Sequence, residues 1–286
     1  MTPTNAAAGA IQLDCVTTIF GPAPDKVWPL LAEGRSKAEV LAMTGHHLAL
    51  NAVSLSIVPG ELLAVMGSSG SGKSTLLRTL NWLAPPTRGQ VLVDGRSLAG
   101  LDDAVLRAVR RTTFGMVFQN FGLLPHLNVR DNVAFPLTLA GVNRRERADR
   151  AAALLERVGL GGEGASHPHQ LSSGMQQRVG LARALINDPP VLLMDEPFAA
   201  LDPVTRREMQ EHVVRLQADL GKTVVMVTHD PADAARMADR VAVIRDGALI
   251  QLGPYRDVAR NPADNGVAAF VRAFAPARGP AAQGGA

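Results

Sequence analysis

Cysteine is nearly missing from this sequence: Cys15 is the sole thiol in 286 residues. One thiol excludes an internal disulfide, so a hydrophobic core must hold the fold, and a reducing compartment suits it. Long apolar runs are missing as well. None approaches the roughly 18–20 residues that span a bilayer. The first residues lack the charged start, apolar stretch and cleavage site of a signal peptide, so work at a membrane would need another chain as anchor. Charge of one sign is not in excess. Lys and Arg number 29 against 26 Asp and Glu, a net charge of +3. The densest basic stretch, Arg144, Arg145, Arg147 and Arg150, is broken by Glu146 and Asp149. It reads as a solvated helix face and argues against nucleic acid as a partner. No internal repeat occurs, so the chain encodes one copy of its unit.

What is present is an ordinary globular composition, 47 % hydrophobic and 19 % charged. The length supports one large domain, or a domain with a smaller lobe. Ile11–Phe20 reads as a strand stopped by Gly21-Pro22. Val27–Met43 carries apolar residues at helical spacing (Val27, Leu30, Leu31, then Val40 and Leu41) and predicts a helix. Leu48–Val58 alternates with period two, as a half-buried strand does. After the turn signal Pro59-Gly60, Glu61–Met66 is a short apolar strand that runs into glycines. Ser74–Leu83 predicts a helix stopped by Pro85-Pro86, and Gln90–Val93 with Asp94-Gly95 predicts a strand and turn. Helical periodicity dominates Val129–Gly159 and Gln170–Leu185, a candidate inserted lobe. Strand signals return at Val191–Met194, Thr223–Val227 and Arg240–Ile244 with a helix between each pair, which implies a mostly parallel sheet. The Ala-, Gly-, Pro- and Gln-rich tail after Phe274 is expected to be disordered.

Gly67-Ser68-Ser69-Gly70-Ser71-Gly72-Lys73-Ser74 fits GxxxxGK(S/T) between a buried strand and a helix. The mechanism explains the pattern. Glycines let the backbone turn so that successive N–H groups converge on one spot, and the helix N-terminus adds partial positive charge there. Lys73 is expected to reach the β- and γ-phosphates of a nucleotide, and Ser74 Oγ to ligate Mg²⁺. A flexible Gly/Ser linker is the bland alternative, but linkers do not open amphipathic helices. Val191–Met194 ends in Asp195-Glu196, at the strand edge where open α/β sheets bind ligands. Asp195 is placed to hold a magnesium-bound water and Glu196 to polarise the attacking water. Solvated acids at a strand end are common, so this pair gains its meaning from the cradle. His167-Pro168-His169 lacks further His or Cys at metal-site spacing and reads as a loop.

Leu171-Ser172-Ser173-Gly174-Met175-Gln176-Gln177-Arg178 is similar to the LSGGQ signature of ABC transporter ATPases, and it stands shortly before the acidic strand as that family requires. Gln119 in MVFQN resembles the family's Q-loop glutamine, Ala200-Leu201-Asp202 its D-loop, and His229 in VTHD its switch histidine. The resemblance covers roughly residues 11–272. It implies an α/β P-loop NTPase (RecA-like) core with an antiparallel β subdomain and an inserted α-helical subdomain. The implied division is 1–118 as the first part of the core, carrying an insertion at 21–45; 119–182 as the helical subdomain; 183–272 as the second part of the core; and 273–286 as the tail.

The resemblance also implies roles. Glu196, His229 and Gln119 would be catalytic, and Ser74, Gln119 and Asp195 would hold Mg²⁺. Gly67, Ser68, Ser69, Gly70, Ser71, Gly72, Lys73, Ser74 and Thr75 would bind ATP, with Phe20 stacking on adenine; a core phenylalanine is the competing reading of Phe20. Ser172, Ser173 and Gly174 would bind the γ-phosphate held by a second copy of the chain, and Asp202 would lie at the seam of that ATP-sandwich dimer. Two positions depart from the pattern. Ser173 replaces the usual glycine and puts a Cβ at a tight phosphate approach, and Ala199 stands where a serine often precedes ALD.

The 21–45 insertion and stretches such as LNWLAPPTRGQVLVDG look like the glycine betaine/proline uptake ATPases. The implied partners are transmembrane permease subunits and, through them, a substrate-binding protein outside the cell. The implied location is the cytoplasmic face of the inner (plasma) membrane. The implied cargo is a quaternary amine or related solute (glycine betaine, choline, carnitine, proline), with another small solute such as an amino acid as the alternative. Rival classes fit less well. DNA-repair relatives insert a long coiled coil between Lys73 and Leu171, ribosome factors carry two cassettes, GTPases need an NKxD stretch, and a binding-only subunit would not need Glu196, Gln119 and His229.

Overall fold

A computed structural model describes residues 8–272 of the chain. The tail expected to be disordered, 273–286, lies outside the described residues. Among the described residues the strands form two sheets. The first is antiparallel, built from β1 (Ile11–Phe20), β2 (His47–Ile57), β4 (Arg88–Val93) and the short β5 (Arg96–Ser97) in the order β2-β1-β4-β5. The second has six strands. β9 (Arg240–Arg245), β3 (Leu62–Met66), β8 (Thr223–Thr228), β7 (Val191–Asp195) and β6 (Phe114–Val117) run parallel, and β10 (Ala248–Gly253) closes one edge antiparallel to β9. β3, β7 and β8 are buried along their whole length, as central parallel strands covered on both faces must be.

The core has two main layers. On one face of the parallel sheet, Leu63, Val65, Leu193 and Val225 pack on α3 (Lys73–Leu80) and on the antiparallel sheet through Leu13, Leu50 and Val91. On the other face, Leu62, Met66, Met194 and Met226 pack with Phe198, Met209 and Val213, the latter two from α8 (Pro203–Leu220). A separate cluster, including Val129, Val133, Leu155 and Val179, joins α5 (Val129–Leu139), α6 (Arg144–Arg157) and α7 (Ser173–Leu185) into a helical lobe between β6 and β7 in sequence.

The 21–45 insertion differs from the single helix expected. Its residues form a 3₁₀ turn at Pro24–Val27, α1 (Trp28–Ala32) and α2 (Lys37–Thr44). Gly34, at φ +76°, breaks the helical path. Ser36 then restarts it with a capping box: its side chain accepts from Glu39 N–H, and the Glu39 carboxylate accepts from Ser36 N–H. Val27 and Val40 are fully buried and form a small core with Ile19 and Leu48, so the insertion is packed onto the antiparallel sheet. Other boundaries shift for local reasons. The Val129–Gly159 stretch splits at Gly141, φ +75°, after which Asn143 caps α6. The helix expected at Gln170–Leu185 begins at Ser173 because Ser172 caps it. Six strands and α-helices fall outside the expected set: the short β5, α4 (Asp103–Thr113), β6, β10, α10 (Tyr255–Arg260) and α11 (Asn265–Arg272). The remaining helix, α9 (Pro231–Met237), lies between β8 and β9 as expected.

Candidate functional site

β3 delivers the chain into the glycine-rich loop, and α3 carries it away, so the loop sits at the C-terminal edge of the parallel sheet. Two glycines there are required by close backbone approach. A Cβ on Gly67 would lie 2.1 Å from Ile244 O, and one on Gly72 would lie 2.4 Å from Ala49 O. Lys73 is buried, and its ammonium donates to Gly67 O at 2.9 Å and Ser68 O at 2.7 Å. Burial pushes its pKa below the ordinary lysine value, while the Glu196 and Asp195 carboxylates act in the opposite direction. Ser71 Oγ is buried with no hydrogen-bond partner among the described residues, an orphan donor of the kind that a bound ligand can satisfy.

The parallel register brings the ends of neighbouring strands to the same loop. Ser74 Oγ donates to Asp195 Oδ1 at 3.0 Å. Glu196 takes φ +46°, and its N–H donates to Val227 O at 3.0 Å. A left-handed non-glycine residue costs about 1–2 kcal/mol, and here the carboxylate reaches the residues that follow β6 and β8, Gln119 and His229. Glu196 Oε2 lies 3.1 Å from His229 Nδ1 and accepts from Gln119 Nε2 at 3.4 Å. Lys73, Ser74, Thr75, Ser69, Gly70, Gly72, Gln119 and Glu196 line one cavity of about 380 Å³. Sequence reading did not find His47, which also lines it. His47 follows a strand-pattern break and carries no motif, so only the β1–β2 register, Phe20 opposite His47, reveals it. Phe20 is 48 % exposed and tilts against the His47 ring with centroids 6.3 Å apart. Exposure removes the core reading of Phe20.

Ser172, Ser173, Gly174 and Asp202 do not line this cavity. Ser172 Oγ accepts from Met175 N–H and caps α7, with Ser173 as its first residue. Asp202 caps α8 by accepting from Val204 and Thr205 N–H, each at 3.1 Å. Hydrogen bonds from Thr205 lead the causes that hold the Asp202 carboxyl below its usual range. The two helix starts touch: a Cβ on Gly174 would lie 2.4 Å from Thr205 Cγ2. His167 and His169 stack, with ring centroids 5.9 Å apart, around the 3₁₀ turn Pro168–Gln170 that leads to Ser172.

A parallel sheet with a phosphate loop at its carboxyl edge defines a P-loop NTPase fold. Comparison with known proteins narrows this. The ABC transporter family profile matches residues 50–199, just over half of the chain. The chain belongs to the ABC transporter family. It is 48 % identical over 262 residues to the glycine betaine/proline betaine transport system ATP-binding protein ProV of Escherichia coli, covering 92 % of this chain and 66 % of that protein, just under two thirds of its length. It is 48 % identical over 228 residues to the methionine import ATP-binding protein MetN of Caulobacter vibrioides, covering 80 % of this chain and 68 % of that one. Among solved structures, an ATP-binding cassette captured as a dimer in a post-hydrolysis state with ADP and Pi superposes with a TM-score of 0.72. That cassette is 35 % identical over 86 % of this chain and 99 % of its own.

Proposed function

We propose that this chain binds ATP with Mg²⁺, hydrolyses it, and drives the uptake of a quaternary amine or related solute as the motor of an importer. One observation carries the hydrolytic reading: a single cavity is lined by the phosphate cradle, Ser74, Gln119 and Glu196, with Asp195 bonded to Ser74 and His229 bonded to Glu196 just behind them. The donor set suits Mg²⁺, because a hydroxyl and a carboxylate oxygen already sit 3.0 Å apart and Ser74 lines the same cavity as Gln119. Ser74, Asp195 and Gln119 would hold magnesium there, and the ion would offset negative charge on the phosphates. Lys73 and the loop N–H groups bind the triphosphate. Glu196 accepts a proton from the attacking water, and His229 and Gln119 hold its carboxylate in place. Ser172 and Gly174, which do not line this chain's own cavity, are read as serving the nucleotide of a second copy. The dimeric cassette with ADP and Pi supports that reading.

No helix among the described residues is long and apolar enough to cross a membrane, so coupling to transport needs a docking face. An apolar cleft of about 790 Å³ lies between β6 and the helical lobe, lined by Phe114, Met116, Phe118, Leu124, Phe135 and Leu139 and rimmed by Arg107, Arg111 and Arg183. Leu139 is 69 % exposed. This cleft is the proposed seat of the permease, on the cytoplasmic side of the membrane. The cargo assignment rests on the ProV relative, whose match takes in 262 residues against 228 for the methionine relative. Two experiments test the proposal. Purified chain with MgATP should release phosphate, and Lys73→Ala should abolish both binding and release. Cells lacking this chain should lose uptake of labelled glycine betaine but keep uptake of methionine; the reverse pattern refutes the cargo.

A further inference from the structure

The insertion at 21–45 lies upstream of the residues the family profile matches, yet it reaches the phosphate loop. Lys37, at the first turn of α2, is half-buried, and its ammonium donates to Gly70 O at 2.7 Å. Gly70 lines the nucleotide cavity. Lys37 is also close enough to His47 for its charge to help lower the His47 pKa, after burial as the main cause. It therefore stands on the rim between the loop and the Phe20–His47 corner.

Among the described residues no carboxylate neutralises the charge of Lys37. The neighbouring cation, Arg35, pairs with Glu33 and Glu39, each at 3.2 Å. Among the described residues Lys37 has no carboxylate within ion-pair distance, and a carbonyl dipole is its hydrogen-bond partner. An ammonium carries three donors. A charge-assisted bond to a phosphate oxygen is roughly twice as strong as one to a neutral acceptor, and a lysine stem is flexible enough to exchange one for the other. Lys73, on the same loop, is likewise held by carbonyls, those of Gly67 and Ser68. The packing of Val27 and Val40 on Ile19 and Leu48 gives α2 a fixed seat from which to present this side chain.

We propose that Lys37 is a second lysine of the nucleotide site, supplied by the insertion, and that it binds the polyphosphate of the nucleotide beside Lys73. This rests on the reading of the cavity as an ATP site. The test is calorimetric binding of ATP, ADP and adenosine to the full chain carrying Lys37→Met, Lys37→Arg or Lys73→Ala. Lys37→Met removes a partly exposed charge and should weaken ATP about five-fold, with ADP also weakened and adenosine unchanged. Added salt should shrink the ATP difference, and Lys37→Arg should restore most of it. ATP affinity equal to wild type in Lys37→Met overturns the inference, while loss of ATP binding in Lys73→Ala leaves the ATP site standing. An equal loss for adenosine also overturns it, because Lys37 would then act through the fold alone. Full ATP affinity in Lys73→Ala would bring down the site reading and this inference together.

Discussion

Replacing Glu196 with glutamine isolates one step. The carboxylate is held through Oε2 by His229 at 3.1 Å and Gln119 at 3.4 Å, and its backbone is held by the bond to Val227 O. Glutamine has the same size, and its amide oxygen can take the place of Oε2. What it lacks is the ability to accept a proton from water. A positioned general base contributes about 10²–10⁴ in rate, so turnover should fall about a thousand-fold, equivalent to roughly 4 kcal/mol of barrier. Nucleotide binding should persist, because Lys73, Ser74 and the loop N–H groups are untouched. Removing one negative charge from a cavity for a polyanion also leaves affinity equal or tighter. The assay pairs steady-state phosphate release with titration of a fluorescent ATP analogue, and gel filtration with MgATP reports whether a dimer accumulates. Undiminished turnover with intact folding would refute the role of Glu196. Loss of binding together with turnover would refute the claim that the cradle works without it.

His229→Ala removes the group 3.1 Å from Glu196 and should cut turnover by about ten- to a hundred-fold with ATP affinity kept, as read by the split between kcat and KM. Glu61→Ala breaks a buried carboxylate held by Arg240 Nε at 2.6 Å and Nη2 at 3.0 Å and by Val58 N–H. It should cost about 3 kcal/mol in denaturant unfolding. Gly174→Ala drives a Cβ against Thr205 Cγ2 and should destabilise by about 1–3 kcal/mol; Thr205→Ser, which removes that methyl, should restore the melting temperature. Arg245 holds the Asp264 carboxyl well below its ordinary value of 3.8, with Val267 N–H adding to the effect. Its stabilising contribution is therefore complete above 3.8 and is lost as pH falls further toward the folded-state value. The melting-temperature gap between wild type and Asp264→Asn should be open at pH 7 and should narrow in strong acid.

Much of the site was legible in the chain because its chemistry depends on neighbours in sequence. The cradle Gly67–Ser74 must be contiguous, since consecutive N–H groups have to converge. Asp195-Glu196 must follow an apolar strand, since the strand's carboxyl end faces the ligand. Period-two alternation located β2, the Gly21-Pro22 stop bounded β1, and short apolar runs located β3, β7 and β8. What the residues could not tell is who faces whom. The insertion has helical spacing throughout, and only Gly34 and the Ser36–Glu39 cap divide it. His47 and Lys37 carry no motif; strand register places His47 on the cavity, and the small core around Val40 places Lys37 against the phosphate loop.

Sequence alone determined the candidate reactive groups and their order, because phosphate binding and magnesium ligation demand particular side chains at short spacing. Tertiary structure decided which of those groups meet: Glu196 touches His229 and Gln119 although 33 and 77 residues separate the pairs. It also set Ser172 and Gly174 outside that cavity. The physical reason is that parallel strands aligned by their hydrogen-bond ladder bring their ends together regardless of sequence distance. No local pattern records which strand lies beside which.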